Sequence, residues 1–239
     1  MACYSGSKPA ILDNPLFRNF SLDDSAKDSL KDIGFVLRKY PAHKMITEQG
    51  QEESRLFIVQ SGWGCTHKDL PDGERQIIDF TLAGDVVGFR SGNTDAQSSF
   101  TAITELTVYE ARVKAAMSAI AKNDELAELF FTAVSRQNAI LTEHLANIGR
   151  RSALVRTGHL LQELRVRTER AGMTDKDGYD CPLTQYDLAD ALGLTAIHVN
   201  RMLRELREFG FLSFRKGKVE FLDPVGLIDF AQFERSYTR

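Results

Sequence analysis

The sequence predicts an α+β chain made of an N-terminal antiparallel β-roll, a long helix and a C-terminal winged helix-turn-helix. Three observations carry that prediction. Short β-branched and aromatic runs, punctuated by glycine, fill the stretch from Phe35 to Val113. An apolar repeat at helical spacing follows and runs to Ile148 without proline or glycine. Beyond it, a small residue, a turn glycine and an aliphatic residue stand at Ala189, Gly193 and Val199, followed by an alternating hairpin.

The chain has 239 residues, room for two domains of ordinary size, and 43% of them are hydrophobic, enough for a real core. No run approaches the roughly 18 apolar residues of a membrane helix. The start, Met1 to Ala10, holds Cys3, Ser5, Gly6, Ser7 and Lys8 and lacks the apolar core of a secretory signal. Cys3, Cys65 and Cys181 are odd in number and far apart, so a disulfide framework is not expected and a reducing cytoplasm fits. Residues 1–32 read as a helical leader, with Ser21 as the cap of a segment carrying Leu22, Ala26 and Leu30.

Residues 33–120 form the predicted β-roll. Lys44–Thr47 leads to Gly50, Leu56–Val59 to Gly62, and Trp63–Lys68 to a Pro71-Asp72-Gly73 turn. Ile77–Phe80 then leads to Gly84-Asp85 and Val86–Gly88, and Phe100–Tyr109 adds further strand material. Within residues 121–149, Leu126, Phe130, Val134, Leu141, Leu145 and Ile148 recur at spacings of three, four or seven. A helix of about 25 residues with one such stripe can pair with its own copy through Phe130, Val134, Leu141, Leu145 and Ile148. Packing on its own domain is the other reading of the same stripe.

Residues 150–239 begin at the Gly149-Arg150-Arg151 break. They hold 15 Lys+Arg against 13 Asp+Glu, a charge of +2, whereas residues 1–149 hold 15 against 20, a charge of −5. The basic half is where a polyanion would bind. A helix over 152–170 buries Leu154, Leu160, Leu161 and Leu164, and Ala171 to Cys181 reads as a loop. Thr184 and Asp187 make a capping box for a short helix ending at Leu192. Gly193 permits the left-handed turn, and Thr195 caps the second helix, Ala196 to Phe209.

Such a second helix enters the DNA major groove, which makes double-stranded DNA the expected partner. Arg201 is the candidate for bidentate bonding to guanine, with His198, Asn200 and Ile197 as further base contacts. Thr184, Gln185 and Thr195 at helix starts, and Arg204 further along, are phosphate candidates. Phe211–Phe214, an Arg215-Lys216-Gly217-Lys218 turn and Val219–Leu222 form the wing, where the three cations of the tip, Arg215, Lys216 and Lys218, can meet phosphate.

In this order of parts the chain resembles the Crp/Fnr family of transcription regulators over nearly its whole length. The resemblance implies a cyclic-nucleotide-binding-like roll, a homodimer, near-palindromic operators and contact with RNA polymerase. The possible effector pocket falls at Gly88, Phe89, Arg90, Gln97, Ser98 and His144. The family's Gly-Glu-Leu reads Gly88-Phe89-Arg90 here, and its phosphate-binding arginine is missing near Ala96-Gln97-Ser98. The adenine-facing helix positions fall at about His144 and Leu145, without a hydroxyl pair. Cyclic AMP in the usual pose is therefore not expected. Three scattered cysteines cannot supply the four ligands of an iron–sulfur cluster. Haem and a metal at Cys65 and His67 are not expected either; packing accounts for that pair. Ile197 replaces the family's acidic base-reading residue, four positions before Arg201, so operator preference should differ.

The competing class is a β-roll regulatory subunit of an enzyme or channel, which would keep the phosphate arginine and lack a winged helix. An enzyme is not expected, because no P-loop, Gly-x-Ser-x-Gly or His/carboxylate metal motif occurs. The effector, the operator and the choice between activation and repression are not encoded legibly.

Overall fold

The computed structural model describes residues 10–18, 20–52, 54–90, 94–175 and 177–238. Cys3 and most of the stretch read for a signal lie outside the described residues. Two single-turn 3-10 segments, Ile11–Asp13 and Pro15–Phe17, precede helix α1 (Asp24–Asp32). The cap of α1 is Asp23 rather than Ser21: its carboxylate accepts the Ala26 amide at 2.7 Å. A charged acceptor suits the positive end of a helix better than a hydroxyl.

Eight strands follow: β1 (Val36–Tyr40), β2 (Met45–Thr47), β3 (Arg55–Ser61), β4 (Gly64–Asp69), β5 (Arg75–Thr81), β6 (Val86–Val87), β7 (Ser99–Ala102) and β8 (Leu106–Arg112). They make two antiparallel sheets, ordered β1-β8-β3-β6 and β2-β7-β4-β5. The unbroken apolar run Leu56–Val59 has a physical reason. Phe57 and Val59 point between the sheets with Phe100 and Val108, while Leu56 and Ile58 pack outward against the flanking helices. A strand buried on both faces cannot alternate polar and apolar residues. Leu16, Phe17, Ala26 and Leu30 join that outer core, so the leader is part of the roll's packing.

The helical stretch is two helices, α2 (Val113–Ile120) and α3 (Asp124–Arg150). Asn123 leaves helical geometry and its side chain accepts the Leu126 amide, starting α3 afresh. The 27 residues of α3 then run to the Arg150 break. The C-terminal part holds α4 (Ala153–Ala171), β9 (Gly178–Asp180), α5 (Gln185–Leu192), α6 (Ala196–Glu208), β10 (Leu212–Arg215), β11 (Lys218–Phe221) and α7 (Pro224–Ala231). Strand β9, inside the stretch that reads as a loop, pairs with β11 to complete the sheet β10-β11-β9. A Cβ on Gly178 would stand 1.8 Å from the Val219 carbonyl oxygen, so only glycine allows that approach.

The two halves are not beads on a string. Trp63, Cys65, Ile77 and Phe80 of the roll share one apolar cluster with Leu161, Tyr179, Leu188 and Val199 of the C-terminal half. The Trp63 and Tyr179 rings stack with centroids 6.3 Å apart. On β5, Arg75 reaches both Asp187 (3.2 Å) and Asp190 (2.7 Å) of α5.

Beside this apolar contact lies a buried polar junction. Arg167 of α4 bonds Asp79 at 2.7 and 3.3 Å, the Phe80 carbonyl at 2.6 Å, Asp85 at 2.9 Å and Glu163 at 3.1 Å. Burial opposes its charge, but Asp79, Asp85 and Glu163 outweigh that and hold the guanidinium protonated. His144 of α3 donates from Nδ1 to the Ile78 carbonyl at 3.0 Å and turns Nε2 to Glu163 at 3.0 Å. It therefore joins this junction rather than the effector pocket. Asp79, His144 and Glu163 come within 4.8 Å of one another, a donor set that could grip a metal ion, but Arg167 bonds both of its carboxylates. Burial pushes the Cys65 and Cys181 thiols up to about 12, so neither presents a thiolate at neutral pH. His67 spends Nε2 on the Thr101 hydroxyl at 3.0 Å.

Replacing Arg167 with Met leaves buried carboxylates without their cation and should lower unfolding free energy by about 3–5 kcal/mol in urea melts. A loss under about 1 kcal/mol would contradict the clamp. Burial lowers His144, but Glu163 beside it outweighs this and lifts it from 6.5 to about 9. Its stabilisation is complete below 6.5 and fades as pH rises through about 9. His159 is held down to about 4, first by burial and then by Arg151, so stability also falls as pH drops from 6.5 towards 4. The melting temperature should peak near pH 6.5, and His144→Gln should remove the decline on the alkaline side alone.

Candidate nucleic-acid interface

The helix-turn-helix folds as its local sequence dictates. Thr184 Oγ1 accepts the Asp187 amide at 3.1 Å and Asp187 answers the Thr184 amide at 2.9 Å, completing the capping box. Gly193 turns at φ 59°, in the left-handed region that suits glycine. Thr195 caps α6 by accepting the His198 amide at 3.2 Å. Val199, Met202 and Leu206 are buried, which fixes the inward face of α6, and Ala189 of α5 shares the cluster that holds Val199 and Leu206.

The outward face is then determined. Ile197 is 84% exposed, and Asn200, Arg201 and Arg204 are exposed beside it. His198 is half-buried at the same helix start. Arg201 lies 3.8 Å from Glu205, and Arg204 lies 3.5 Å from Glu208. Exposed i,i+4 pairs of this kind contribute only about 0.3–0.5 kcal/mol, so both guanidinium groups can be released to a stronger acceptor.

Asn200 donates to the Gln185 side chain at 2.7 Å, which ties the predicted base-reading and phosphate positions together. Between the start of α5 and the wing runs an open groove of about 470 Å³, lined by Thr184, Gln185, Tyr186, Phe214, Arg215 and Lys216. Tyr186, 73% exposed, is an interface candidate that the sequence alone did not single out. An exposed aromatic just inside a helix start was the available signal. The wing turns through Lys216 (φ 51°) and Gly217 (φ 74°), the paired positive angles of a two-residue type I′ hairpin. Lys218, in register with Asp180 of β9, pairs its ammonium with Asp175 at 2.7 Å. Arg215 and Lys216 are the exposed cations of the tip.

A second site lies in the roll. A cleft of about 210 Å³ is lined by Gly88, Arg90, Gln97 and Ser98, with Phe57 and Phe100 below and Gln137 and Leu141 of α3 closing it. Four of the six expected pocket residues are there. Phe89 instead stacks on Phe130 at 5.8 Å in the outer core, and His144 lies in the junction; Gln137 and Leu141 take the place on α3 assigned to His144 and Leu145. Gly88 holds φ 81°, and a Cβ there would stand 2.2 Å from the Arg55 carbonyl oxygen. Arg90 donates to the Thr94 and Gln51 carbonyls, and Arg55 pairs with Glu110 at 2.6 Å. Both cations that line the cleft are thus already committed to acceptors, which leaves a cyclic phosphate poorly served.

The stripe on α3 is rotated by one residue from expectation at its N-terminal end. Phe130 is buried within its own domain, whereas Phe131 is 75% exposed. Val134 and Leu141 are half-buried, and Leu145 and Ile148 are exposed at 74% and 40%. With Asn138, the outward set 131, 134, 138, 141, 145 and 148 alternates steps of three and four, the spacing that a coiled-coil seam requires.

Comparison with known proteins agrees with this geometry. The cyclic nucleotide-binding domain matches residues 37–123, and the Crp-like helix-turn-helix domain matches residues 155–230. The nitrogen fixation regulation protein FixK of Rhizobium meliloti (strain 1021) is 30% identical over 194 residues, covering 80% of this chain and 85% of that protein. The fumarate and nitrate reduction regulatory protein of Vibrio cholerae is 26% identical over 215 residues, 89% of this chain and 85% of its own length. The structure of FixK2 from Bradyrhizobium japonicum shares the fold with a TM-score of 0.73 at 24% identity, covering 82% of this chain and 96% of that one. No helix among the described residues is long and apolar enough to cross a membrane. A sensing roll, a long helix and an exposed reading helix in this order, together with that level of identity, establish that the chain belongs to the Crp/Fnr family of transcription regulators.

Proposed function

We propose that the chain binds a near-palindromic DNA operator as a cytoplasmic homodimer, contacts RNA polymerase there, and tunes its binding to an effector held in the roll. The observation that carries this reading is the outward face of α6. Ile197, Asn200 and Arg201 face solvent, Asn200 tied only to the Gln185 side chain at the start of α5, while the opposite face is sealed in the core. Arg201 reads guanine through two bonds, with Asn200 and His198 beside it and Ile197 against a thymine methyl. The free amides after Thr184 and Thr195, the Gln185 side chain, Arg204 and Lys216 hold phosphates, and Arg215 and Tyr186 extend that track.

Two copies pair along Phe131, Val134, Leu141, Leu145 and Ile148, and Asn138 within the seam selects the register at some cost in stability. Leu141 and Gln137 also close the roll's cleft. An occupant of the cleft therefore touches the helix that carries the seam, and a preference of 1–3 kcal/mol for one seam arrangement would suffice for regulation. The cleft suits a small ligand with an apolar body and polar rim better than a cyclic nucleotide in the family's pose.

Selection of bound duplexes from a random pool should return paired half-sites about one helical turn apart. Arg201→Ala should relax preference at one base pair by about 1–3 kcal/mol, and an unchanged selection would refute its role. Leu145→Asp places a carboxylate in the seam and should convert the dimer to monomer in sedimentation, with loss of operator binding. A variant that stays dimeric would move the interface elsewhere.

A further inference from the structure

The chain that follows α7 does something the winged motif does not need. At Gln232 the backbone enters the left-handed region (φ 51°), uncommon for a residue with a side chain, and the chain doubles back over α3 and α4. Phe233 and Thr238 are buried there, at 6% and 3% exposure. The Tyr237 ring lies parallel to His159 of α4, with centroids 5.9 Å apart and 5° between planes. Phe233 meets the same imidazole edge-on at 5.3 Å. The Tyr237 hydroxyl donates to Glu163 at 3.0 Å, and Arg235 pairs with Glu169 of α4 at 2.6 Å.

Those contacts converge on the crossing of α3 and α4. His159 accepts from Asn147 of α3 at 2.9 Å and lies 3.6 Å from Glu143, and Glu163 holds His144 of α3. Only Arg151 and Ser152 separate the two helices. The helix before that joint carries the proposed seam, and the helix after it carries the reading module. Their mutual angle therefore sets how far apart two recognition helices stand. With a rise of 1.5 Å per residue, α4 makes a lever of about 20–28 Å. A change of about 10° at the joint displaces its far end by about 3.5–5 Å, roughly the 3.4 Å rise of one base pair.

We propose that the segment Phe233–Thr238 is a strap that fixes the α3–α4 angle, with Tyr237 as its positioning residue, and so sets the half-site spacing this protein accepts. The proposal rests on operator binding as a dimer. A purely structural tail would lower stability without altering which spacing is preferred; a strap at the joint alters the preference itself.

The test uses the full chain and duplexes bearing two copies of a half-site recovered by selection, with their separation varied one base pair at a time. The unaltered protein should bind one spacing at least tenfold better than its neighbours. Tyr237→Ala, verified as a folded dimer by circular dichroism and sedimentation, should flatten that profile to about threefold or less. Tyr237→Phe keeps the stacked ring, loses the hydroxyl bond and should lie between the two. A Tyr237→Ala profile as sharp as the parent's would overturn the strap. Should Tyr237→Ala fail to fold, Tyr237→Phe decides alone, and a parental profile again overturns the proposal. If the unaltered protein binds no duplex at any spacing, the regulator reading itself has failed; if it binds all spacings alike, only the strap has.

Discussion

Arg167 is the group on which the arrangement of the molecule turns. It is buried, and it bonds a carboxylate on β5, the Phe80 carbonyl, Asp85 on the loop that follows and Glu163 on its own helix. A charge so placed is tolerated only with its partners in position. The consequence is orientational. Apolar burial between Trp63, Phe80, Leu161 and Leu188 would tolerate sliding, because dispersion contacts have little directionality. The fixed geometry of a guanidinium fork does not. The reading module is therefore docked on the sensing roll in one pose, with the N-terminal end of α5 held from behind by Arg75.

That pose leaves the reading face open. Ile197, Asn200 and Arg201 face solvent while β5 grips the other side of the same module. Sensing and reading are accordingly close in the fold. The hairpin of β4 and β5 supplies Thr66 and Ile78 to the cleft and Arg75 to α5, and α3 supplies Leu141 to the cleft and Leu145 to the proposed seam. A rearrangement of the cleft has two short physical routes to the reading helix, one through the hairpin and one through α3.

In the cleft, backbone architecture and side-chain chemistry rest on different residues. The glycine that lets β6 pass close to the Arg55 carbonyl is kept, because the sheet needs it. The arginines nearby bond backbone carbonyls and Glu110. The chemistry can therefore change while the architecture persists.

The order of elements was legible in the sequence because local rules govern it. The capping box at Thr184, the left-handed glycine at 193 and the hairpin glycine at 217 each act within a few residues, and the structure bears all three out. The inward and outward faces of α6 followed from periodicity. Interactions between residues distant in sequence were not legible. His144 faces Glu163 rather than a pocket, Phe131 replaces Phe130 on the outer stripe of α3, Lys218 turns to Asp175, and β9 forms only because Gly178 can approach Val219. Each depends on where a second element lies. A 3.6-residue period names a stripe, but neighbouring residues differ by about 100° around a helix, and only the packed partner decides which of two adjacent phenylalanines is covered.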